Sequence, residues 1–151
     1  MSATSLTELD TQALAAQAID RGELSTLLGS AHFEAAIERS YLPTGPALRR
    51  VEVLLARFDS GPDAERYLQW QLDHVADVIG EAQPADVDPG AEMSIFVHLP
   101  GGCCPKEQVI ALSAWRNGAD VVRVLVAGPD ADGPEAASLI GRLHATLPGD
   151  A

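Results

Sequence analysis

Two adjacent cysteines, Cys103 and Cys104, have the most distinctive spacing among the reactive residues of this chain. They lie in a Gly-Gly-Cys-Cys-Pro segment, a few residues after His98. A vicinal thiolate pair suits a redox switch, a soft metal such as copper(I), or a link to a partner. Neither a Cys-x-x-Cys spacing nor a dense histidine cluster accompanies the pair, so the alternative is two inert small residues in a loop.

Arg123 is a second candidate, because it falls within a run of apolar residues that has the pattern of a β-strand. A charge in such a position needs a partner or access to solvent, and Glu52 would supply the partner if the two strands are neighbours. One interpretation is a pocket for an acidic ligand, and the other is an arginine at an exposed end whose stem covers apolar surface. The residues of the predicted pocket are Phe96, His98, Ser113 and Arg123, with Ser94 beside them.

Trp70 is the third candidate. On a helical wheel it lies nearly opposite Leu68 and Leu72, the apolar stripe of its predicted helix. An outward tryptophan either anchors an interface or is covered by a neighbouring segment. The histidines are scattered over different predicted elements, so no catalytic base is singled out, and we predict neither a catalytic residue nor a cofactor.

Composition narrows the classes of partner. The 151 residues include 22 acidic and 10 basic ones, a formal charge of -12, which disfavours nucleic acid and anionic membrane surfaces. No apolar run approaches the ~20 residues of a spanning helix. The stretch from Asp59 to Glu92 holds nine acidic residues and one basic residue, and is either a solvated face or a dock for a cationic partner.

Hydrophobic periodicity predicts the elements that must position these residues. Ser5 and Glu8 have capping-box spacing, which predicts a helix from Leu6 to Arg21, and helical spacing returns from Phe33 to Tyr41. Residues 1–45 are therefore expected to be helical. Alternating apolar residues predict strands at four later segments, which are Arg50–Phe58, Met93–Leu99, Val109–Arg116 and Ala119–Ala127.

Asn117-Gly118 suits a type I′ two-residue hairpin turn that would pair Arg116 with Ala119. Helices are predicted over Asp63–Ile79 and Pro134–Leu147. The chain is thus expected to be a single α+β domain over residues 1–151, with the order α-α-β-α-β-β-β-α. Its core, residues 47–148, would hold an antiparallel sheet of about four strands packed with helices.

The strand ending Ala56-Arg57-Phe58-Asp59-Ser60, the Ala64-Glu65-Arg66-Tyr67-Leu68 helix start, the Asn117-Gly118 hairpin and the closing Ala-Leu helix together resemble small actinobacterial lipoprotein and kinase-sensor ectodomains. The resemblance covers about the last hundred residues. It implies an α+β sandwich related to the PsbP-like group and a binding or sensing role without catalysis. This chain departs from those domains in having no leader, no lipobox cysteine and no well-separated cysteines.

The segment from Arg57 to Ser60 followed by Tyr67-Leu68 is also similar to the opening of dimeric α+β barrel proteins, some of which are small monooxygenases. Three functional hypotheses follow. The first is a non-enzymatic binding or protein-interaction module with a protein partner or self-association. The second is a small-molecule-binding protein or small enzyme with a pocket between sheet and helices, and the third is a soft-metal or redox role for Cys103 and Cys104. The chain as it stands predicts a cytoplasmic protein, or an extracytoplasmic one if a leader was trimmed.

Overall fold

A computed structural model describes residues 2–18, 21–46, 48–79, 82–84, 93–99, 108–131 and 133–146. The side chains of residues 2–5, 75–79, 82–84, 93–99 and 108 are outside this description. The elements in chain order are β1 (Ser2–Leu9), α1 (Thr11–Ala15), α2 (Arg21–Ser30), β2 (Phe33–Leu42), β3 (Arg50–Phe58), α3 (Gly61–Ile79), β4 (Ala82–Pro84), β5 (Met93–Leu99), β6 (Gln108–Asn117), β7 (Asp120–Gly128) and α4 (Pro134–Thr146).

The predicted α+β class with an antiparallel sheet is confirmed. Within the described ranges the strands form one sheet in the order β1-β2-β3-β7-β6-β5-β4, and every neighbouring pair is antiparallel. The four segments predicted as strands are β3, β5, β6 and β7. β1, β2 and the short β4 extend the sheet to seven strands, so that β3 lies inside the sheet and not at its edge.

The prediction that residues 1–45 are helical is wrong for two segments, β1 and β2. Asp10, rather than Ser5, caps the first helix, since its side chain accepts a hydrogen bond from the Ala13 N–H at 2.7 Å. Helix propensity is a weak preference that tertiary pairing overrides. Here β2 pairs with β3 along nearly its whole length, and β1 then pairs with β2.

Helices cover both faces of the sheet. On the face that we term the inner face, α1, α2 and α3 pack over a core that includes Leu54, Phe58 and Tyr67. On the opposite, outer face, α4 packs over a second core that includes Trp115 and Ile140. The helices predicted over Asp63–Ile79 and Pro134–Leu147 are present as α3 and α4. Alternation of side chains along each strand sends successive residues to one core and then to the other.

The β6–β7 hairpin is confirmed, but its turn is displaced by one residue. The strands pair Arg116 with Val121 and Asn117 with Asp120, so the two turn residues are Gly118 and Ala119. Gly118 has φ +60, and Ala119 is not among the described residues with positive φ. A glycine with positive φ at the first turn position followed by an ordinary residue is the pattern of a type II′ turn. The predicted type I′ turn is therefore wrong, because it needs positive φ at both turn positions. The partner of Arg116 is thus Val121 and not Ala119, a shift of two residues. Because side chains alternate with a period of two, every residue stays on the hairpin face that alternation predicts.

Candidate functional site

A cavity of about 380 Å³ lies between the inner face of the sheet and helices α1, α2 and α3. This volume falls at the lower end of the range for small-ligand sites, roughly 300–1,000 Å³. Leucines and an alanine make up the apolar part of its wall, namely Leu14, Ala18, Leu24, Leu112 and Leu125. Charged and polar side chains from β2, β3, β7 and α3 make up the rest.

Glu38 and Arg123 face each other across the floor of the cavity. The pairing register places Glu38 of β2, Leu54 of β3 and Arg123 of β7 in one row across three strands. Leu54 is buried between them, and the two charged side chains approach to 3.6 Å between Arg123 Nη2 and Glu38 Oε2. Both are largely buried, at 18% and 17% side-chain exposure. The cavity therefore holds an ion pair between two strands, β2 and β7. Glu38 is the partner that the charge of Arg123 requires within its apolar strand.

Gln17 connects the two members of this ion pair. Arg123 Nη2 donates to Gln17 Oε1 at 3.1 Å, and Gln17 Nε2 donates to Glu38 Oε2 at 3.3 Å. A direct charge-assisted hydrogen bond between an arginine and a carboxylate is shorter, about 2.7–2.9 Å. The guanidinium and the carboxylate are thus held near each other without a direct hydrogen bond, which leaves donor and acceptor capacity directed at the cavity.

Tyr67 and Gln71 hold two buried polar atoms in the wall of the cavity. Both residues line it from α3, one helical turn apart. The Tyr67 hydroxyl and Gln71 Oε1 are buried and unpartnered among the described residues, and Tyr67 is fully buried. Burial raises the pKa of the Tyr67 hydroxyl above its ordinary value, and the nearby Arg123 and the Gln71 side chain oppose that rise. Unpaired buried polar groups are uncommon in native proteins, because each costs free energy.

Trp70, His74 and Glu23 form the rim of the cavity where α2 meets α3. The Trp70 indole N–H donates to Glu23 Oε1 at 3.0 Å, and His74 Nε2 lies 2.9 Å from the same oxygen. The two rings stack with centroids 4.3 Å apart. Trp70 is half-buried and packs against the inner core, which corrects the outward orientation taken from the helical wheel. A wheel shows only one helix, whereas α2 lies beside α3 and covers this side chain.

Glu52 lines the same cavity but does not pair with Arg123. Its carboxylate is 3.3 Å from the guanidinium of Arg50, two residues earlier on β3. Glu52 is aligned with Leu125 in the register and Arg123 with Leu54, so Glu52 and Arg123 are diagonal neighbours on one face. The strands are adjacent, as the hypothesis of a Glu52–Arg123 pair required, but Glu38 is the carboxylate within reach of Arg123.

The structure separates Ser113 from Arg123. Ser113 is fully buried in the outer face, where it lies between Ala111 and Trp115 along β6, and its Oγ has no described partner. The register pairs it with Val124, one residue beyond Arg123, and adjacent residues of a strand point to opposite faces. Ser113 and Arg123 therefore do not line one pocket.

The remaining predicted site residues lie in parts of the chain that the structure describes incompletely or not at all. The backbones of Phe96 and His98 pair with Ala111 and Val109 in the β5–β6 ladder, while their side chains are outside the description. Cys103 and Cys104 are outside the described residues altogether. Within the described residues, no three His, Cys, Asp or Glu side chains are grouped so that they could hold a metal ion. The same residues contain no helix that is long and apolar enough to cross a membrane.

Sequence reasoning singled out three of the cavity residues, which are Trp70, Arg123 and the expected partner Glu52, and missed the others. Glu38 was missed because its segment has helical spacing, and only as a strand does it face Arg123. Tyr67 is buried near the start of α3, and the position of its hydroxyl has no sequence signal. An i, i+4 pair of polar groups, Tyr67 and Gln71, beside an apolar stripe was the available clue.

Fold and site define a class: an α+β protein with an antiparallel sheet and a polar cavity under three helices. No family model and no curated protein matches the chain. Among solved structures it is similar to the extracellular domain of PknH from Mycobacterium tuberculosis, with 14% identity and a TM-score of 0.45, over 94% of this chain and 78% of that one. At that identity and score, the similarity carries no argument about the function of this chain.

Proposed function

We propose that this chain is a non-enzymatic binding module whose inner cavity takes up a small polar molecule. The observation that carries the proposal is a cavity of about 380 Å³ whose apolar wall holds Glu38 and Arg123, two largely buried charged groups without a direct hydrogen bond to each other. A polar ligand that hydrogen-bonds to them supplies contacts that burial has taken from water. The cavity holds no nucleophile paired with a base among its described side chains, so binding is the activity that the geometry supports.

The experiment is native mass spectrometry of the protein after incubation with a polar metabolite extract. Ala18 lines the cavity, and Ala18→Phe fills part of it, whereas Ala145→Phe makes the same change on the exposed side of α4. We expect a retained extra mass in the wild type and in Ala145→Phe, and its loss in Ala18→Phe.

Two results contradict this proposal. One is a wild-type protein that retains no extra mass from the extract. The other is equal retention by Ala18→Phe and the wild type, with circular dichroism showing that the variant is folded, because the bound molecule would then lie elsewhere.

Self-association is a second candidate function, and exposed apolar side chains on β1 and β2 favour it. Leu6 and Ile37 are 56% and 41% exposed and, from the β1–β2 register, lie on the same outer face of the sheet. β1 is an edge strand of the described sheet, with backbone groups that another strand can pair. We expect a dimer in sedimentation velocity at high protein concentration that Ile37→Lys dissociates and Ser25→Lys, on the exposed side of α2, does not. A monomer at every concentration would contradict this candidate.

The remaining hypotheses keep the status of predictions. A soft-metal or redox role for Cys103 and Cys104 concerns residues outside the described ranges, and so does a contact surface formed by their loop. Of the residues that the sequence singled out, Trp70 and Arg123 belong to the proposed site. Phe96, His98 and Ser113 do not.

A further inference from the structure

We propose that the ligand of the inner cavity is the zwitterion of an α-amino acid with an apolar side chain. Arg123 would receive its carboxylate and Glu38 its ammonium group. This inference rests on the proposed function and names the class of ligand for the same cavity. Three properties of the cavity carry it: the balance of its charges, the unused hydrogen-bonding capacity of those charges, and the apolar wall beside them.

The charges of the cavity wall are balanced. Two carboxylates, Glu38 and Glu52, and two guanidinium groups, Arg50 and Arg123, line it. A ligand with a net charge would leave one sign in excess in a largely buried space, which is unfavourable. The whole chain has a formal charge of -12 and repels anions in addition. A ligand that carries one charge of each sign preserves the balance.

Arg123 has the capacity to bind a carboxylate. A guanidinium has five N–H donors, and the described contacts of Arg123 are one hydrogen bond to Gln17 and the 3.6 Å approach to Glu38. A ligand carboxylate that accepts N–H donors from Arg123 binds in the geometry that arginine favours for planar anions.

Acceptors for an ammonium group lie in the same cavity. Glu38 accepts one described hydrogen bond, from Gln17 Nε2 at 3.3 Å, and a carboxylate has room for about four. An ammonium group has three donors and no acceptor, which matches the remaining acceptor positions of this carboxylate. The Gln17 amide bridges Arg123 and Glu38 from one side, and the carboxylate and ammonium groups of an amino acid bridge the same two side chains in its place.

The apolar wall determines the side chain. Leu24, Leu112 and Leu125 line the cavity together with the indole of Trp70. A cavity of about 380 Å³ accommodates a single small ligand and excludes a long peptide. Leucine, methionine and phenylalanine therefore combine the charges and the apolar group that this wall presents.

Isothermal titration calorimetry with L-leucine, L-methionine and L-phenylalanine tests the inference on the whole chain. N-acetyl-L-leucine removes the positive charge of leucine, and L-leucinamide removes the negative charge. We expect at least one free amino acid to bind, and the derivatives matched to it to bind about tenfold more weakly or worse, since hydrogen bonds to charged groups are lost. Of the two tryptophans of the chain, Trp70 lines the cavity and Trp115 lies in the outer core, so binding should change the fluorescence of Trp70 and this change should be absent in Trp70→Phe.

Two variants assign the ends of the ligand. Glu38→Gln should remove the preference for leucine over N-acetyl-L-leucine, and Arg123→Gln should remove the preference for leucine over L-leucinamide. Arg57→Gln is the matched control, because Arg57 joins β3 and β7 through its ion pair with Asp120 outside the cavity. Arg57→Gln should leave all affinities unchanged. If Arg123→Gln does not fold, Arg123→Lys keeps the charge, loses the planar donor geometry and should show a smaller loss of the same preference.

The outcomes are distinguishable. Binding of the free amino acids with the crossed loss of preference supports the inference. Equal binding of leucine and both derivatives overturns it. A protein that retains a molecule from the metabolite extract but binds none of the amino acids also overturns it and leaves the proposed function intact. A protein that retains nothing contradicts both.

Discussion

At the scale of single residues, Asp63 shows how local hydrogen bonding controls a charge. Ser60 precedes α3, and its carbonyl oxygen accepts from the Ala64 N–H while its Oγ accepts from the Asp63 N–H at 3.3 Å, so Ser60 is the N-cap. The Ser60 hydroxyl donates to Asp63 Oδ2 at 2.9 Å, and the His32 ring lies 3.2 Å from the same oxygen. These hydrogen bonds, led by that from Ser60, lower the pKa of Asp63 below its ordinary value.

We predict that Ser60→Ala lowers the free energy of unfolding by about 1 kcal/mol, because the N-cap is lost. It should also raise the pKa of Asp63 toward its ordinary value. Since the folded pKa is the lower one, the contribution of Asp63 to stability is complete above the unfolded pKa and is lost as pH falls through the folded pKa. Urea unfolding at pH 7 and an NMR titration of the carboxyl carbon measure the two effects.

Ser60→Thr is the control for this prediction, because threonine retains a hydroxyl at the N-cap. It should leave both quantities close to those of the wild type. An unchanged pKa of Asp63 in Ser60→Ala would contradict the assignment of the shift to the serine hydroxyl.

At the scale of elements, the β6–β7 hairpin depends on one glycine. Gly118 has φ +60, and a Cβ added there would meet no atom within 4 Å. The whole cost of a side chain at this position is therefore conformational, since residues with a Cβ rarely adopt positive φ. Gly141 in α4 also has open space around it but lies in a helix, where alanine is favoured over glycine.

We predict opposite effects for the same substitution at these two glycines. Gly118→Ala should reduce the free energy of unfolding by roughly 1–2 kcal/mol, and Gly141→Ala should raise it by roughly 0.5–1 kcal/mol. Chemical denaturation of both variants beside the wild type measures this. Equal effects of the same sign would contradict the turn geometry described here.

The pairing of strands also explains why the N-terminal region differs from its prediction. Residues 33–42 have helical spacing, yet as β2 they satisfy their backbone groups by pairing with β3 on one side and β1 on the other. Ala36 is then buried in the inner core and Glu38 faces the cavity. The competition between a local helix and a ladder of long-range hydrogen bonds is decided by the neighbouring strand, which sequence spacing does not show.

At the scale of the whole molecule, the two faces of the sheet have different contents. The outer core under α4 includes tightly packed valines, Trp115 and Ile140. The inner face carries Glu38, Glu52 and Arg123 among its apolar residues and is covered by three helices that leave a cavity. Both faces bury an apolar core, and the inner face in addition accepts charged groups, which suit a binding site.

The sequence by itself determined the α+β class, the strands β3, β5, β6 and β7, the helices α3 and α4, and the composition of both hairpin faces. These features follow from hydrophobic periods of 2 and 3.6 residues and from turn chemistry, which are local properties. It also identified Arg123 as a charged residue within an apolar run, where the charge requires a partner.

Only the tertiary structure decided which partner Arg123 has and which residues share a cavity with it. Glu38 is 85 positions away in the sequence and reaches Arg123 only because β2 and β7 flank β3. Ser113 is much nearer in sequence but lies on the other face of the sheet. The cover of Trp70 by α2 and the unpartnered hydroxyl of Tyr67 are likewise set by the docking of helices on the sheet. Long-range pairing and docking place side chains in space, and no local pattern encodes them.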